Sequence, residues 1–144
     1  MEKVVIRVLD FTEDPGPRYI RQDIPGTLTS GEAYYLNVLN KEFAKCFMEN
    51  KQLIIALDGV SGYPSSFLDE AIGELVYDFS KEVVSRLLDF ETVMYKKRVA
   101  QVKEETYAQW ETRRIKKDPV VHSPDIHYTI QVPVNDTELI EKTI

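Results

Sequence analysis

The chain has 144 residues, 43% of them hydrophobic and 29% charged, with a formal net charge of -6. That is one domain's worth of length, and the acidic balance argues against general binding to a phosphate backbone. The single cysteine, Cys46, excludes an intrachain disulfide and fits a reducing cytoplasm, no apolar run approaches the roughly 20 residues that span a bilayer, and the start Met1-Glu2-Lys3-Val4-Val5 runs straight into a strand pattern, so no signal peptide is expected.

Val4 to Leu9 is β-branched and apolar and predicts a largely buried strand. Thr12 to Pro17 is turn chemistry, with two prolines and Gly16. Arg18 to Ile24 reads as a short strand ended by Pro25-Gly26. Thr29 and Glu32 have capping-box spacing, which predicts a helix from Gly31 to Glu49. Its apolar stripe is Leu36, Leu39, Phe43 and Phe47, and Cys46 beside it reads as a buried, inert thiol. Leu53 to Leu57 is a short continuous apolar run closed by Asp58-Gly59, the pattern of a central parallel strand buried on both faces. A second helix is expected over Ser65 to Phe79, with Gly73 marking a close helix–sheet contact. Val83 to Phe90 reads as the next strand. Glu91 to Lys117 is a long helical pattern with a narrow stripe, Tyr95, Val99, Val102, Thr106 and Trp110, which predicts a helix that projects or packs on a partner. Tyr128 to Val132 reads as a strand able to join a sheet edge, and Asn135 to Ile144 as a frayed helical end. Residues 96–117 carry eight basic and three acidic side chains, a local +5 that leaves -11 on the rest of the chain.

Strands alternating with helices argue an α/β fold with a parallel or mixed sheet. The most informative stretch is Leu57-Asp58-Gly59-Val60-Ser61-Gly62-Tyr63-Pro64-Ser65-Ser66-Phe67-Leu68. Its glycines permit close backbone approach, and Ser65 and Ser66 stand where a helix needs an N-cap and where a phosphate would be stabilised. Together with Gly16-Pro17-Arg18-Tyr19 and Ser30-Gly31-Glu32, and running on through Asp69-Glu70-Ala71-Ile72-Gly73, this stretch resembles the STAS-like family of unknown function, a bacterial family related to the anti-sigma factor antagonists. The resemblance covers roughly residues 1–90 and leaves 91–144 as a C-terminal extension, a long helix over 91–117 followed by a strand-like tail.

The resemblance implies a STAS-like mixed or parallel sheet with helices. It also implies a partner with a GHKL-type ATPase or kinase fold, and a phosphoacceptor at Ser65, with Ser66 beside it. Antagonist domains carry Asp-Ser-Ser-Gly-Leu here; this chain has Pro64 in place of the aspartate and Phe67 in place of the glycine. The reading is a non-enzymatic, cytoplasmic protein-interaction module with no cofactor. Its partner surface is Asp58, Gly59, Gly62, Tyr63, Pro64 and Phe67, with Tyr63 and Phe67 as apolar anchors, and residues 91–144 serve self-association.

Two other readings compete. Asp10, Asp58 and Asp89 each close an apolar run; converging at one sheet edge they would hold Mg²⁺ for phosphoryl chemistry. Arg113-Arg114-Ile115-Lys116-Lys117 after Tyr107 and Trp110 could serve a nucleic-acid-associated defence component, against the electrostatics of the remaining chain. His122, Asp125 and His127 form a conceivable metal set that reads more simply as a solvated loop.

Overall fold

The computed structural model describes residues 1–120, 127–130 and 140–143, the last as backbone only. Strand β1 (Lys3–Arg7) runs into a 3₁₀ turn at Val8–Asp10, and a second 3₁₀ turn at Ile20–Gln22 replaces the expected strand over 18–24. A continuous helix over 31–49 follows: α1 (Gly31–Tyr34), a π-helical turn at Tyr35–Leu39, and α2 (Asn40–Glu49). Its N-cap is Ser30, whose Oγ accepts from the Ala33 amide at 3.1 Å. The expected Thr29–Glu32 box does not form, because Glu32 instead accepts the Ile20 amide and ties down the preceding loop. Cys46 is buried, and burial pushes its thiol up, away from thiolate chemistry.

Strand β2 (Gln52–Ala56) is the middle of a three-stranded parallel sheet ordered β1-β2-β3. Helix α3 (Ser65–Phe79) has the bounds its sequence pattern predicts. The expected strand over 83–90 is corrected: α4 (Lys81–Leu87) occupies most of it, and β3 is only Leu88–Glu91. Val83 and Val84 are β-branched, but with Leu87 they make a buried helical face, and Ser80, at φ 84°, caps α4 through its side chain.

In this order the strands advance in one direction, so right-handed connections set α1, α2, α3 and α4 on a single face of the sheet. The residue rows agree. Val4, Leu53 and Leu88 align, as do Ile6, Ile55 and Phe90, and all six belong to or pack on the main core. Val5, Ile54 and Asp89 align on the other face, outside that core.

The expected helix 91–117 begins at Lys96 and runs to Lys116 as α5 (Lys96–Gln101), a π-helical turn at Val102–Thr106, and α6 (Tyr107–Lys116). It does not project. The extra residue of the π turn brings Val102, Thr106, Tyr107 and Trp110 to one side, where all four are buried against α3. Gly73 is therefore a contact between helices rather than between helix and sheet: a Cβ there would stand 2.1 Å from the Trp110 ring.

The tail forms β4 (His127–Ile130), paired antiparallel with β5 (Ile140–Thr143), so the expected frayed helix over 135–144 is a strand in its last part and the hairpin stands apart from the parallel sheet. It docks on α2 and α3 through Asn40, whose amide accepts from the Tyr128 amide at 2.7 Å and donates to the Tyr128 carbonyl at 2.8 Å and to the Tyr35 hydroxyl at 2.9 Å. Tyr35 in turn donates to buried Asp78, and His127 Nε2 lies 3.6 Å from the same carboxylate. Asn40→Ala should lose about 2–3 kcal/mol of unfolding free energy, since it leaves buried donors and acceptors behind. Hydrogen exchange should show the loss concentrated at residues 127–130, and unchanged protection there would contradict the docking role.

Candidate functional site

Two loops meet at the carboxyl end of the sheet. The β2–α3 loop, residues 57–64, turns at Gly59, whose φ of 100° strains any side chain and where a Cβ would stand 3.0 Å from a Leu9 methyl. Ser61 straps it to the Glu13–Asp14 turn, through its amide to the Glu13 carbonyl at 2.8 Å and its hydroxyl to Asp14 at 2.6 Å. The second loop is the β3–α5 turn. Asp58 accepts from the Thr92 hydroxyl at 2.5 Å, the Val93 amide at 2.7 Å and the Met94 amide at 3.2 Å. These donors, the Thr92 hydroxyl foremost, hold its carboxyl below the usual range. Tyr95 closes the junction by donating to the Val60 carbonyl at 3.2 Å.

The rings expected to anchor a partner are part of this brace. Tyr63 is 5% exposed and Phe67 is fully buried. The Tyr63 hydroxyl donates to the Leu57 carbonyl at 2.6 Å, and its ring meets Tyr95 edge-on at 4.8 Å. Phe67 packs on Tyr34 and Tyr63. Neither ring offers contact area to another molecule, which corrects that assignment. The i, i+4 spacing of Phe67 and Ala71 was the available signal for a core position, since α3 is packed by α1, α6 and β4 as well as facing the sheet side. What remains outside is Gly59, Pro64 and Ser65, with Gly62 and Ser66 half-buried, and beside them Val93 and Met94, 79% and 72% exposed. Sequence reading did not single out Val93 or Met94; both lay inside an expected helix.

Ser65 is the first residue of α3, with Pro64 at the N-cap, so neither Ser65 nor Ser66 caps the helix. Ser65 opens onto a cavity of about 230 Å³ between α3 and the 96–116 helix, which Arg18, Asp69, Arg98 and Glu105 also line. Arg18 is engaged there, at 2.8 Å from Asp69 and 3.1 Å from Glu70. Asp69 also accepts from Thr106 and Trp110. Arg98 has no ion-pair partner among the described residues. A group at Ser65 thus faces a helix N-terminus, one occupied guanidinium and one unoccupied one.

The structure does not bring Asp10, Asp58 and Asp89 together at one edge. Asp58 is consumed by the β3–α5 turn. Asp89 is the second residue of β3, level with Ile54, and is bound by Lys103 at 2.9 Å. Burial would raise that carboxyl, but Lys103, the Phe90 amide and Lys3 together hold it low. Among the described residues no three His, Cys, Asp or Glu side chains are placed to hold a metal ion. His122 and Asp125 lie outside the described residues, while His127 is buried beside Asp78. The basic run at 113–117 is partly spent within the chain: Arg114 bridges Glu111 at 2.6 Å and Arg113 stacks over Trp110. No described helix is long and apolar enough to cross a membrane.

Residues 37–93 match the family model of a STAS-like domain of unknown function. That segment holds α2, β2, α3, α4 and β3, whereas β1 and the 96–116 helix, which complete its sheet and core, lie outside it. No curated protein and no solved structure matches the chain.

Proposed function

We propose that this STAS-like domain is a non-enzymatic regulatory module that meets a GHKL-type protein partner with the edge formed by Pro64, Ser65, Val93 and Met94, and that phosphorylation of Ser65 switches the contact. The observation that carries the reading is the placement of Ser65: an exposed hydroxyl at the first turn of a 15-residue helix, opening on the cavity that Arg98 lines. A phosphate adds close to two negative charges and three acceptors. The α3 amides and Arg98 favour it there, while Asp69 and Glu105 oppose it, so the modified side chain draws Arg98 across the cavity and changes the edge a partner sees.

Val93 and Met94 supply the apolar contact that Tyr63 and Phe67 cannot, and Asp58 and Tyr95 hold them in place. Rigid presentation of this kind lowers the ordering cost of association.

Incubation of the full chain with a GHKL-type protein kinase and ATP should add about 80 Da to the intact mass, the weight of one phosphoryl group. Ser65→Ala should abolish the gain and Ser66→Ala should keep it. No gain in the wild type, or a gain that survives Ser65→Ala, would remove Ser65 as the switch.

A further inference from the structure

The sheet has a second face, opposite the one that carries α1 to α4. On it lie Lys3, Val5 and Arg7 of β1, Gln52, Ile54 and Ala56 of β2, and Asp89 and Glu91 of β3. Val5 is 54% exposed, and Lys3, Arg7 and Glu91 are exposed as well. Ile54 is already buried within the protomer at 9% exposure, though it lies outside the main core, so the accessible part of this face is its flanks. Parallel sheets are normally covered on both sides, and the exposed flanks of this face leave room for such a cover.

The charges on this face are sorted by strand. The β1 side is basic, through Lys3 and Arg7. The β3 side is acidic, through Asp89 and Glu91. The middle, Ile54 and Ala56, is apolar. Asp89 is already matched by Lys103, but Arg7 and Glu91 have no ion-pair partner among the described residues. A hollow of about 360 Å³ is lined by these two side chains and Ala56 on the sheet and by Asp58, Thr92 and Val93 at its carboxyl end.

We propose that this face is a homodimer interface, with a two-fold axis parallel to the strands, in which Arg7 of one copy meets Glu91 of the other. Symmetry and charge together select that axis. A two-fold across the strands would set β1 on β1 and β3 on β3, opposing like charges. A two-fold along them sets β1 over β3, keeps each residue row opposite itself, and places Ile54 against Ile54 and Ala56 against Ala56 at the centre. Arg7 and Glu91 then pair twice, once on each side, and their side chains cross the hollow over Ala56. Such an isologous contact is the commonest kind in soluble oligomers, and face-to-face sheets pack with strands within about 30° of each other. Fewer residues take part than in a standard interface of about 20–30 a side, so the dimer is weak, with a dissociation constant on the order of 10–500 μM. This inference does not rest on the Ser65 reading, although Val93 of the proposed partner edge also lines the hollow.

Sedimentation equilibrium of the full chain, from about 10 μM to 1 mM, tests it. The wild type should dimerise. Arg7→Glu and Glu91→Arg each turn both symmetric pairs repulsive, so each should weaken association at least about tenfold. Both residues are exposed, and melting temperatures should stay near that of the wild type. An equimolar mixture of the two variants should associate as well as the wild type, because every cross pair in the mixed dimer is again oppositely charged. A monomeric wild type at 1 mM, a dimer indifferent to both substitutions, or a mixture no better than either variant alone would overturn the proposal.

Discussion

Trp110→Ala should cost about 3–5 kcal/mol of unfolding free energy, as truncation of a buried indole does, and it should reverse the sign of Gly73→Ala. In the wild type, a methyl group on residue 73 runs into the Trp110 ring at 2.1–2.4 Å. The ring is held by its hydrogen bond to Asp69 at 3.3 Å and by Arg113 stacked at 4.0 Å, so it has little freedom to retreat. Overpacking of this kind costs about 1–3 kcal/mol, which outweighs the helix-propensity gain of up to about 1 kcal/mol. Without the indole the methyl has room, and only the propensity gain remains. Urea midpoints of the wild type, the two single variants and the double variant close the cycle. Equal effects of Gly73→Ala in both backgrounds would mean that α3 and the 96–116 helix are not locked through this contact.

The second large effect concerns acids buried on α3. Glu70 is 1% exposed and Glu74 fully buried, one turn apart. Burial, reinforced by Glu74, pushes the Glu70 carboxyl up to about 9. Burial also raises Glu74, with the neighbouring acids Asp78 and Glu32 adding to it. Arg18, 3.1 Å from Glu70, pulls the other way. It is shared with Asp69 and reaches solvent, so it does not offset the loss of water around a carboxylate with another carboxylate beside it. The folded chain therefore keeps a proton that the unfolded chain loses near pH 4.5. Below that pH both states are protonated and the fold has its full stability. As pH rises toward 9 the folded state has to accept the charge, and stability falls with a limiting slope of about 1.4 kcal/mol per pH unit for one such proton. Glu70→Gln keeps the shape and cannot ionise. It should flatten the curve between pH 5 and 9 and exceed the wild type at pH 9 by about 2 kcal/mol or more. Parallel stability curves for the two proteins would show that Glu70 is charged in the fold across this range.

These acids mark where the sequence stops being legible. The helices at 31–49 and 65–79 and the strand at β2 could be read because their apolar spacing is strong and their ends carry turn chemistry. Glu70, Glu74 and Asp78 recur at four-residue steps, which in isolation is the pattern of a solvated face. They are buried because α1, β4 and α6 all pack on α3, and that is a property of the whole fold. The stripe Tyr95, Val99, Val102, Thr106, Trp110 is correctly the packing face of its helix, yet its target is set by Gly73, thirty-seven residues away in sequence. A flat ring against a glycine leaves no mark in either segment alone. The strand expected at 83–90 failed because Val83 and Val84 suit both periods, and a capped start at Ser80 decided for the helix.

The candidate site divides in the same way. The exposure of Ser65 was legible, since a helix start after a glycine-containing loop exposes its first turn. Tyr63 and Phe67 were misread as surface because aromatic residues beside a turn resemble an interface, when here they fill the space beneath it. Val93 and Met94 became visible only once Asp58 was seen to accept three hydrogen bonds from their turn.

Calorimetric titration of a GHKL-type ATPase partner with the wild type, Met94→Ser and Ser65→Glu puts the account to its most direct test. Both substituted side chains are exposed, so both variants should melt with the wild type, and both should bind at least about tenfold more weakly, the loss expected when a central apolar anchor is truncated or a charge is set beside it. Binding by both variants as tight as that of the wild type would show that the edge carrying Ser65 and Met94 is not where the protein meets its partner.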